Sequence, residues 1–395
     1  MAEQITCPGF KAAGVAAAIK YEGRKDLGLL FSERPATVAG VFTNNRVKAA
    51  PVLLDMERIK SGICHAVIAN SGNANCCTGH QGYQDAVSMA KFAASALGVS
   101  EDTVFVASTG VIGAPLPINK IESAVPKLVK SLKLEGLSDL AEAIMTTDTV
   151  PKIIAKTGQI DGKTFTIAAT AKGAGMIRPD MATMLCFVAT DIQASSDDLS
   201  NMLFNSVERS FNRITIDGDT STNDTVLLLA NGESGIEITN DSARSIFQEI
   251  LDEVLMQLAR MLVQDGEGAT KLVDIVVTGA DSLENAKAVA FTVAHSNLVK
   301  TALFGEDANW GRIIGAAGRA GVPVDPDRID IYFNDVKMVE NGMGCGDAAE
   351  AEATSVIKLP EFEIKIDLKM GEEAYSAITC DFSIDYVKIN ADYRS

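Results

Sequence analysis

The sequence of 395 residues is poor in histidine, in paired cysteines and in positive charge. Its three histidines are far apart, at positions 65, 80 and 295, and its seven cysteines form no CxxC pair. No local spacing therefore indicates a zinc site, a disulfide framework or a histidine-based catalytic triad. If the protein is an enzyme, we expect its general base to be a group other than histidine.

Acidic residues outnumber basic ones by 52 to 35, which gives a net charge of -17. An acidic surface repels phosphate backbones and anionic lipids, so it argues against nucleic-acid binding and membrane association. No apolar run reaches the roughly 18 residues of a membrane span, and the first residues lack an export signal. We expect reduced thiols and a cytoplasmic location.

Hydrophobic patterning predicts many short strands interleaved irregularly with helices. Strands are predicted at 27–31, 38–42, 66–69, 104–107, 153–155, 165–168, 185–189, 226–229, 273–277, 329–333, 362–368 and 377–382. Helices are predicted at 82–97, 118–132, 137–145, 197–210, 241–264, 282–290 and 308–319. This order favours an α/β or α+β layered architecture over a doubly wound sheet. Because the last third is rich in strands, a smaller C-terminal subdomain is expected from about residue 281.

Several segments are dense in Gly, Asn, Asp and Ser, and a turn accounts for each of them taken alone. None matches the phosphate-binding GxxxxGK[ST] loop, and the glycines at 342–346 are spaced GxGxG rather than GxGxxG. The oxygen-rich run 217–224 offers ligands to a divalent cation, but no bidentate glutamate stands at calcium-loop spacing. We therefore expect neither a metal nor a bound cofactor.

Thr183 stands directly before a purely apolar strand. One interpretation is a strand-edge threonine whose hydroxyl satisfies a backbone group. The other is a nucleophile whose own α-amino group, freed by cleavage of the chain before it, acts as the base. An α-amine titrates at about 7.7–8.0, which suits a general base. In this second interpretation Thr183 attacks the Ala182 carbonyl, and hydrolysis of the ester leaves fragments 1–182 and 183–395. The residues alone leave both interpretations open.

The run 172–185, KGAGMIRPDMATML, resembles the cleavage signature of the ArgJ-type ornithine acetyltransferase (glutamate N-acetyltransferase) family. Further segments resemble that family in the same order along nearly the whole chain: 40–45 (GVFTNN), 49–52 (AAPV), 70–79, 108–113 (STGVIG), 145–149 (MTTDT), 211–225 (FNRITIDGDTSTNDT), 265–271 (DGEGATK) and 304–313 (FGEDANWGRI). So many long motifs in one order make a chance match untenable. The sequence is identified as a member of this family.

The resemblance implies a self-cleaving enzyme of the ArgJ-like fold with an N-terminal threonine nucleophile. It implies cleavage between Ala182 and Thr183, and acetyl transfer from N-acetylornithine to glutamate through an acetyl-Thr183 intermediate in a ping-pong cycle. Thr109, by its hydroxyl, and Gly110, by its backbone N–H, match the family's oxyanion-hole positions. The positions implied to contact substrate are Thr149, Lys172, Thr183, Glu267, Asn390 and Ser395.

The resemblance also implies that the alpha fragment (1–182) and the beta fragment (183–395) assemble as a heterotetramer of two copies each. Acetyl-CoA as a second acetyl donor, which would make the enzyme bifunctional, is left open. So are two other classes of protein: an amidohydrolase or aminopeptidase on the same self-cleaving scaffold, and an uncut amino-acid-binding protein.

Overall fold

The computed structural model describes residues 5–178 and 184–391, which fall into two compact units. The first unit runs to Asn212 and continues through 219–262, and the second comprises 213–218 and the chain from Val263 onward. The second unit thus begins upstream of the boundary expected near residue 281. The predicted fragment junction between residues 182 and 183 lies outside the described residues.

In the first unit, the described strands form one eight-stranded sheet with the order β4-β3-β2-β8-β7-β6-β5, and β1 pairs with β2. These strands are β1 (Phe10–Val15), β2 (Leu27–Phe42), β3 (Ile63–Asn70), β4 (Val104–Ser108), β5 (Lys152–Ile160), β6 (Lys163–Lys172), β7 (Leu185–Thr190) and β8 (Thr225–Ala230).

The long strand β2 joins the two halves of this sheet. Its early residues pair with β3 and its last six with β8, and the register with β3 shifts between Phe31 and Ala36. Phe105 of β4 lies in the same buried core as Phe187 of β7 and Leu227 of β8. One buried core therefore extends across both halves of the sheet, and the predicted runs 27–31 and 38–42 are parts of one strand.

Helices pack against both halves of the sheet. Met89 and Ile121, from two of these helices, share a core with Ile68 of β3, while the ring of Phe247 lies 5.7 Å from that of Phe165 on β6. The helices of this unit are α1 (Ala50–Arg58), α2 (Gly79–Leu97), α3 (Ile118–Lys130), α4 (Leu137–Ile144), α5 (Ser196–Arg209) and α6 (Asp241–Gln264), whose last two residues count with the second unit.

The second unit is built on a six-stranded sheet with the order β12-β11-β10-β13-β9-β14. The first strand of this unit, β9, pairs in parallel with β13 and antiparallel with β14. Because both partners follow it in the chain, β9 belongs to the second unit. The elements are β9 (Leu272–Ala280), α7 (Leu283–Ala294), α8 (Asn297–Phe304), α9 (Trp310–Gly318), β10 (Asp330–Phe333), β11 (Val336–Glu340), β12 (Met343–Gly344), α10 (Asp347–Ile357), β13 (Glu361–Asp367), β14 (Glu373–Cys380) and α11 (Ile384–Ala391).

Layers of helix and sheet in both units confirm the predicted mixed α/β fold class. Among the described helices, none has the length and apolar character that crossing a bilayer requires.

Candidate active site

One edge of the first unit's sheet gathers the ends of four strands. Lys172, the last residue of β6, pairs with Leu185 at the start of β7, which in turn pairs with Thr225 at the start of β8. Thr225 also pairs with Phe42, the last residue of β2. The residues just beyond these positions therefore lie together at that edge.

The predicted nucleophile precedes β7 by two residues. Thr183 and Ala182 lie outside the described residues, but the next residue, Met184, is well placed by two hydrogen bonds to the β8 segment. Its N–H donates to Asp224 Oδ1 at 3.0 Å, and its carbonyl accepts from the Thr225 N–H at 3.0 Å.

Asn223 connects this edge to the other half of the sheet. Its side-chain amide donates to the carbonyls of Ala74, at 2.7 Å, and Ser108, at 2.8 Å, and the residue is buried. Ser108 ends β4, directly before the predicted oxyanion-hole residues Thr109 and Gly110. The segment that carries those donors therefore lies beside the start of β8.

Gly110 occupies a position that no other residue fits. Its φ is +134°, and a Cβ there would lie 2.3 Å from the carbonyl carbon of Gly72 and 2.5 Å from the nitrogen of Asn73. Such distances to backbone atoms are overlaps, so only glycine allows this close approach. Within the described ranges, the N–H of Gly110 makes no hydrogen bond, which leaves it available to a ligand.

The hydroxyl of Thr109 is oriented by a buried lysine. Lys172 Nζ donates to Thr109 Oγ1 at 3.3 Å, and both residues are buried. An ammonium group can only donate, so Thr109 accepts this bond and directs its own proton elsewhere. Thr109 and Gly110 thus offer one O–H and one N–H donor side by side, the pair that an oxyanion hole requires.

Lys172 is itself held by the loop before β5. Its ammonium donates to Thr146 Oγ1 at 2.7 Å and lies 3.8 Å from Asp148 Oδ2. Asp148 is fully buried and also accepts from Lys152 Nζ at 2.8 Å and from the N–H of Gly173 at 2.7 Å. A buried carboxylate shared by two lysines fixes the Lys172 side chain in position.

Burial alone would raise the pKa of Asp148, because it disfavours the charged form. The positive charges of Lys172 and Lys152 and the N–H donors overcome this, and they hold the pKa of Asp148 well below its ordinary value. The carboxyl is therefore ionised at every pH at which the enzyme would work. Thr149, the next residue and a predicted substrate contact, is exposed.

The pKa of Asp224 is shifted in the opposite direction from that of Asp148. Burial raises its pKa well above the ordinary value, although the Met184 N–H, the Ser221 hydroxyl and the charge of Lys172 all favour ionisation. Its second oxygen, Oδ2, is buried and has no hydrogen-bond partner among the residues that the structure describes.

Two further predicted substrate residues lie together in the second unit. Asn390 Nδ2, on α11, donates to Glu267 Oε2 at 2.6 Å and to the Tyr386 carbonyl at 3.1 Å. Gly268 packs against the same helix, since a Cβ on it would lie 2.6 Å from the Tyr386 nitrogen. Glu267 is buried. Ser395 lies outside the described residues.

Among the described residues, no three or more His, Cys, Asp or Glu side chains are grouped so that they could hold a cation. Asn223 and Asp224 instead bind backbone groups. The sequence analysis assigned no site role to Asp148 or Lys152, and it considered Asn223 and Asp224 only as ligands of a divalent cation. Asp148, Asn223 and Asp224 lie inside motifs that resemble the family, and Asn223 and Asp224 directly precede β8, which is the signal that could have found them.

The family model described as the ArgJ family matches residues 11–395. The arginine biosynthesis bifunctional protein ArgJ of Geobacter sulfurreducens is 51% identical over 98% of this chain and 99% of its own. That of Syntrophotalea carbinolica is 52% identical over the same shares. The crystal structure of the ArgJ protein of Bacillus halodurans is 39% identical, with a TM-score of 0.50, over 52% of this chain and 97% of its own.

The family model covers nearly all of the chain, and the two curated relatives match it almost from end to end at about half identity. The resemblance read from the sequence motifs is therefore confirmed: this chain is an enzyme of the ArgJ family of arginine-biosynthesis acetyltransferases.

Proposed function

We propose that the enzyme transfers an acetyl group from N-acetylornithine to glutamate through an acetyl ester on Thr183, after the chain has cut itself between Ala182 and Thr183. Ornithine and N-acetylglutamate are the products. The proposal combines family membership with the arrangement of the residues around the start of β7.

The observation that carries the proposal is the pair of neighbours Asn223 and Asp224. Asn223 binds the carbonyl of Ser108, which precedes the oxyanion-hole donors, while Asp224 binds the N–H of Met184, which follows the proposed nucleophile. One short segment thus ties both parts of the catalytic machinery to one edge of the sheet.

Self-cleavage creates the active nucleophile. Thr183 Oγ attacks the Ala182 carbonyl carbon, the C–N bond breaks, and water hydrolyses the resulting ester. The freed α-amine of Thr183 then takes the hydroxyl proton in each later attack, so the enzyme needs no histidine base.

Two similar half-reactions follow. The Thr183 hydroxyl attacks the acetyl carbonyl of N-acetylornithine and ornithine leaves; glutamate then attacks the acetyl ester. Each step passes through a tetrahedral intermediate whose negative oxygen the Thr109 O–H and the Gly110 N–H stabilise. Loss of one such donor typically slows catalysis by about 10²–10³.

The proposed substrate contacts have the chemistry that these amino acids require. Lys172 offers a cation to a carboxylate, and Glu267, whose orientation Asn390 fixes, offers a carboxylate to an ammonium group. Thr149 and Ser395 complete the proposed set.

The length of the relative in the Bacillus halodurans crystal supports the cleavage step. Of that chain 97% aligns, yet it spans 52% of this one, whereas the curated relatives align over 99% of their own length. A chain of about half length is what cleavage between residues 182 and 183 would produce.

Acetyl-CoA as a second donor, a heterotetramer of two alpha and two beta fragments, and a cytoplasmic location belong to the same proposal. An assay with acetyl-CoA as the sole acetyl donor distinguishes a bifunctional enzyme from one that only recycles acetyl groups.

The experiment that tests the proposal follows cleavage and transfer together. On a denaturing gel the 41.7 kDa chain should be replaced by two bands of about half that size, and N-terminal sequencing should find a Thr-Met-Leu-Cys start. Incubation with N-acetylornithine and glutamate should yield N-acetylglutamate. Free acetate instead would indicate an amidohydrolase, and a single uncut, inactive chain would favour a binding protein.

Variants of Thr183 provide the control. Thr183→Ala should abolish cleavage and transfer, whereas Thr183→Ser should keep part of both. Thr190→Ala, at the other end of β7, removes a buried hydroxyl that has no hydrogen-bond partner among the described residues, and it should change neither. An active Thr183→Ala protein would refute the mechanism.

A further inference from the structure

Two adjacent cysteines, Cys76 and Cys77, bring their thiols into contact on the loop between β3 and α2. Their sulfurs lie 3.8 Å apart. Successive side chains of an extended chain point in opposite directions, but the φ of Cys77 is +58°, in the left-handed region that residues other than glycine rarely adopt. The backbone therefore leaves an extended course where the two thiols meet.

The two thiols differ in their access to solvent. Cys77 is exposed, whereas Cys76 is buried in a small apolar cluster with Ala49 and Val52. All seven cysteines lie within the described residues, and the second exposed one, Cys345, belongs to the second unit. A dissolved reagent therefore reaches Cys77 before Cys76, and it finds a second thiol in contact with the first. Redox-sensitive cysteines are typically exposed and next to such a resolving thiol.

The loop that carries this pair is bound to the segment of the predicted oxyanion-hole donors. The Gly113 N–H donates to the Cys76 carbonyl at 2.9 Å, and the Ala74 N–H donates to the Val111 carbonyl at 3.0 Å. A change in the backbone at Cys76 therefore acts directly on the oxyanion-hole segment.

An S–S bond between the two neighbours requires such a change. The sulfurs must approach from 3.8 Å to about 2.0 Å, while adjacent Cα atoms are about 3.8 Å apart, closer than the roughly 4.4–6.8 Å of ordinary disulfides. The peptide unit between Cys76 and Cys77 becomes part of the ring, and its carbonyl is the one that binds Gly113. Strained disulfides are readily reduced, which suits a reversible modification.

We propose that Cys76 and Cys77 form a redox-sensitive dithiol that is oxidised by small-molecule disulfides and lowers acetyl transfer when its ring closes. The Cys77 thiolate attacks one sulfur of the reagent, which leaves a mixed disulfide on Cys77 and releases one thiol. The Cys76 sulfur then attacks the Cys77 sulfur and displaces the second thiol. Two protein thiols are oxidised, one reagent disulfide is reduced, and the two thiols released take up the protons that the cysteines lose.

The effect on activity rests on the proposed function, because it assumes that Thr109 and Gly110 form the oxyanion hole. The thiol chemistry does not depend on that assignment. The two are therefore measured separately, by mass and by activity.

Mass spectrometry tests the chemistry, with oxidised glutathione as the reagent. The protein used is Cys345→Ser, in which Cys77 is the exposed thiol. The chain that carries residues 76 and 77 should lose two hydrogen atoms and retain no glutathione. When Cys76→Ala is added, the resolving thiol is gone, and one glutathione per chain should accumulate. A stable glutathione adduct in Cys345→Ser, or no reaction, would overturn the proposal.

The choice of variant at position 76 allows for its burial. Alanine keeps the site apolar, which the cluster around Cys76 favours. If Cys76→Ala does not fold, Cys76→Ser keeps the size of the side chain and gives the same readout.

The activity assay follows N-acetylglutamate formation from N-acetylornithine and glutamate under the same treatment. Oxidation of Cys345→Ser should lower the rate about tenfold or more, since loss of one oxyanion donor costs about 10²–10³, and dithiothreitol should restore it. The control combines Cys77→Ser with Cys345→Ser, which leaves no exposed cysteine, and it should keep its rate.

The combined results separate the two proposals. If the disulfide forms and the rate stays unchanged, the proposed control of activity is refuted. If the reduced, unmodified protein forms no N-acetylglutamate, the proposed function fails, and the mass measurement still decides whether the dithiol closes.

Discussion

Lys172 donates a hydrogen bond to the hydroxyl oxygen of Thr109, 63 positions earlier in the chain, over 3.3 Å. This contact gives Lys172 a second role besides the substrate contact that the family resemblance implies. By occupying a lone pair of Thr109 Oγ1, the lysine turns the threonine proton toward another acceptor, and the proposed mechanism requires that acceptor to be the oxyanion.

The first prediction separates the two roles of Lys172. Lys172→Met should lower kcat by about 10²–10³ because Thr109 loses its orientation. If Lys172 acted only in binding the glutamate carboxylate, KM would rise while kcat stayed unchanged. Steady-state kinetics with varied glutamate distinguishes these outcomes. Lys163→Met, at the exposed start of the same strand, is the control and should leave both constants unchanged.

The second prediction concerns Gly110. Gly110→Ala should abolish activity or prevent folding, because its Cβ would overlap backbone atoms of Gly72 and Asn73. Gly113→Ala is the comparison: its φ is also positive, at +84°, but a Cβ there meets nothing within 4 Å. It should cost only the left-handed strain of about 1–2 kcal/mol and retain activity. Equal activity of the two variants, measured at equal soluble concentration, would contradict the packing argument.

The third prediction concerns stability and pH. The pKa of Asp148 is lower in the folded protein than the unfolded value of about 3.9, so its ion pairs stabilise the fold fully above that value. This stabilisation is lost as the pH falls toward the folded pKa. Asp148→Asn, which removes one partner of a buried pair, should destabilise by about 3–5 kcal/mol at pH 7.

Calorimetry checks the predicted effect of Asp148→Asn by comparing its Tm with that of the unmodified protein, from pH 7 down to the lowest pH at which both remain folded. The difference should be largest near neutrality and should shrink below about pH 4, where the unfolded carboxyl becomes protonated. Asp139→Asn, which removes the partly exposed pairs with Lys25 and Lys133, should lower the Tm much less. A difference that stayed constant down to pH 3 would show that Asp148 acts through packing alone.

The fourth prediction addresses the second unit. Asn390→Ala removes the 2.6 Å hydrogen bond that orients the Glu267 carboxylate. The KM for N-acetylornithine should therefore rise several-fold, which corresponds to the roughly 1 kcal/mol that one hydrogen bond contributes. Lys388→Ala removes only an exposed pair with Asp385 on the same helix and should leave the KM unchanged. An unaltered KM in Asn390→Ala would remove Asn390 from the proposed set of substrate contacts.

Much of the fold was predictable because strand and helix signals are local. The apolar run that became β7, and the periodicity of α2 and α6, were read correctly within a few residues. β1 was missed because its residues 12–14 (AAG) are small, and the structure shows why one of them must be: a Cβ on Gly14 would lie 2.0 Å from the carbonyl oxygen of Asp139 on α4. α11 was also missed, since none of its residues is buried.

The sequence by itself determined the family, and it predicted cleavage before Thr183 and an oxyanion hole at Thr109 and Gly110. These predictions follow from motifs of consecutive residues, and such motifs can be recognised without knowledge of the fold. Only the tertiary structure decided that Lys172 orients Thr109, that Asp148 holds Lys172, and that Asp224 is buried and binds the N–H of Met184. Each of these depends on contacts between distant segments and on the loss of water around a charge, and neither is encoded in local spacing.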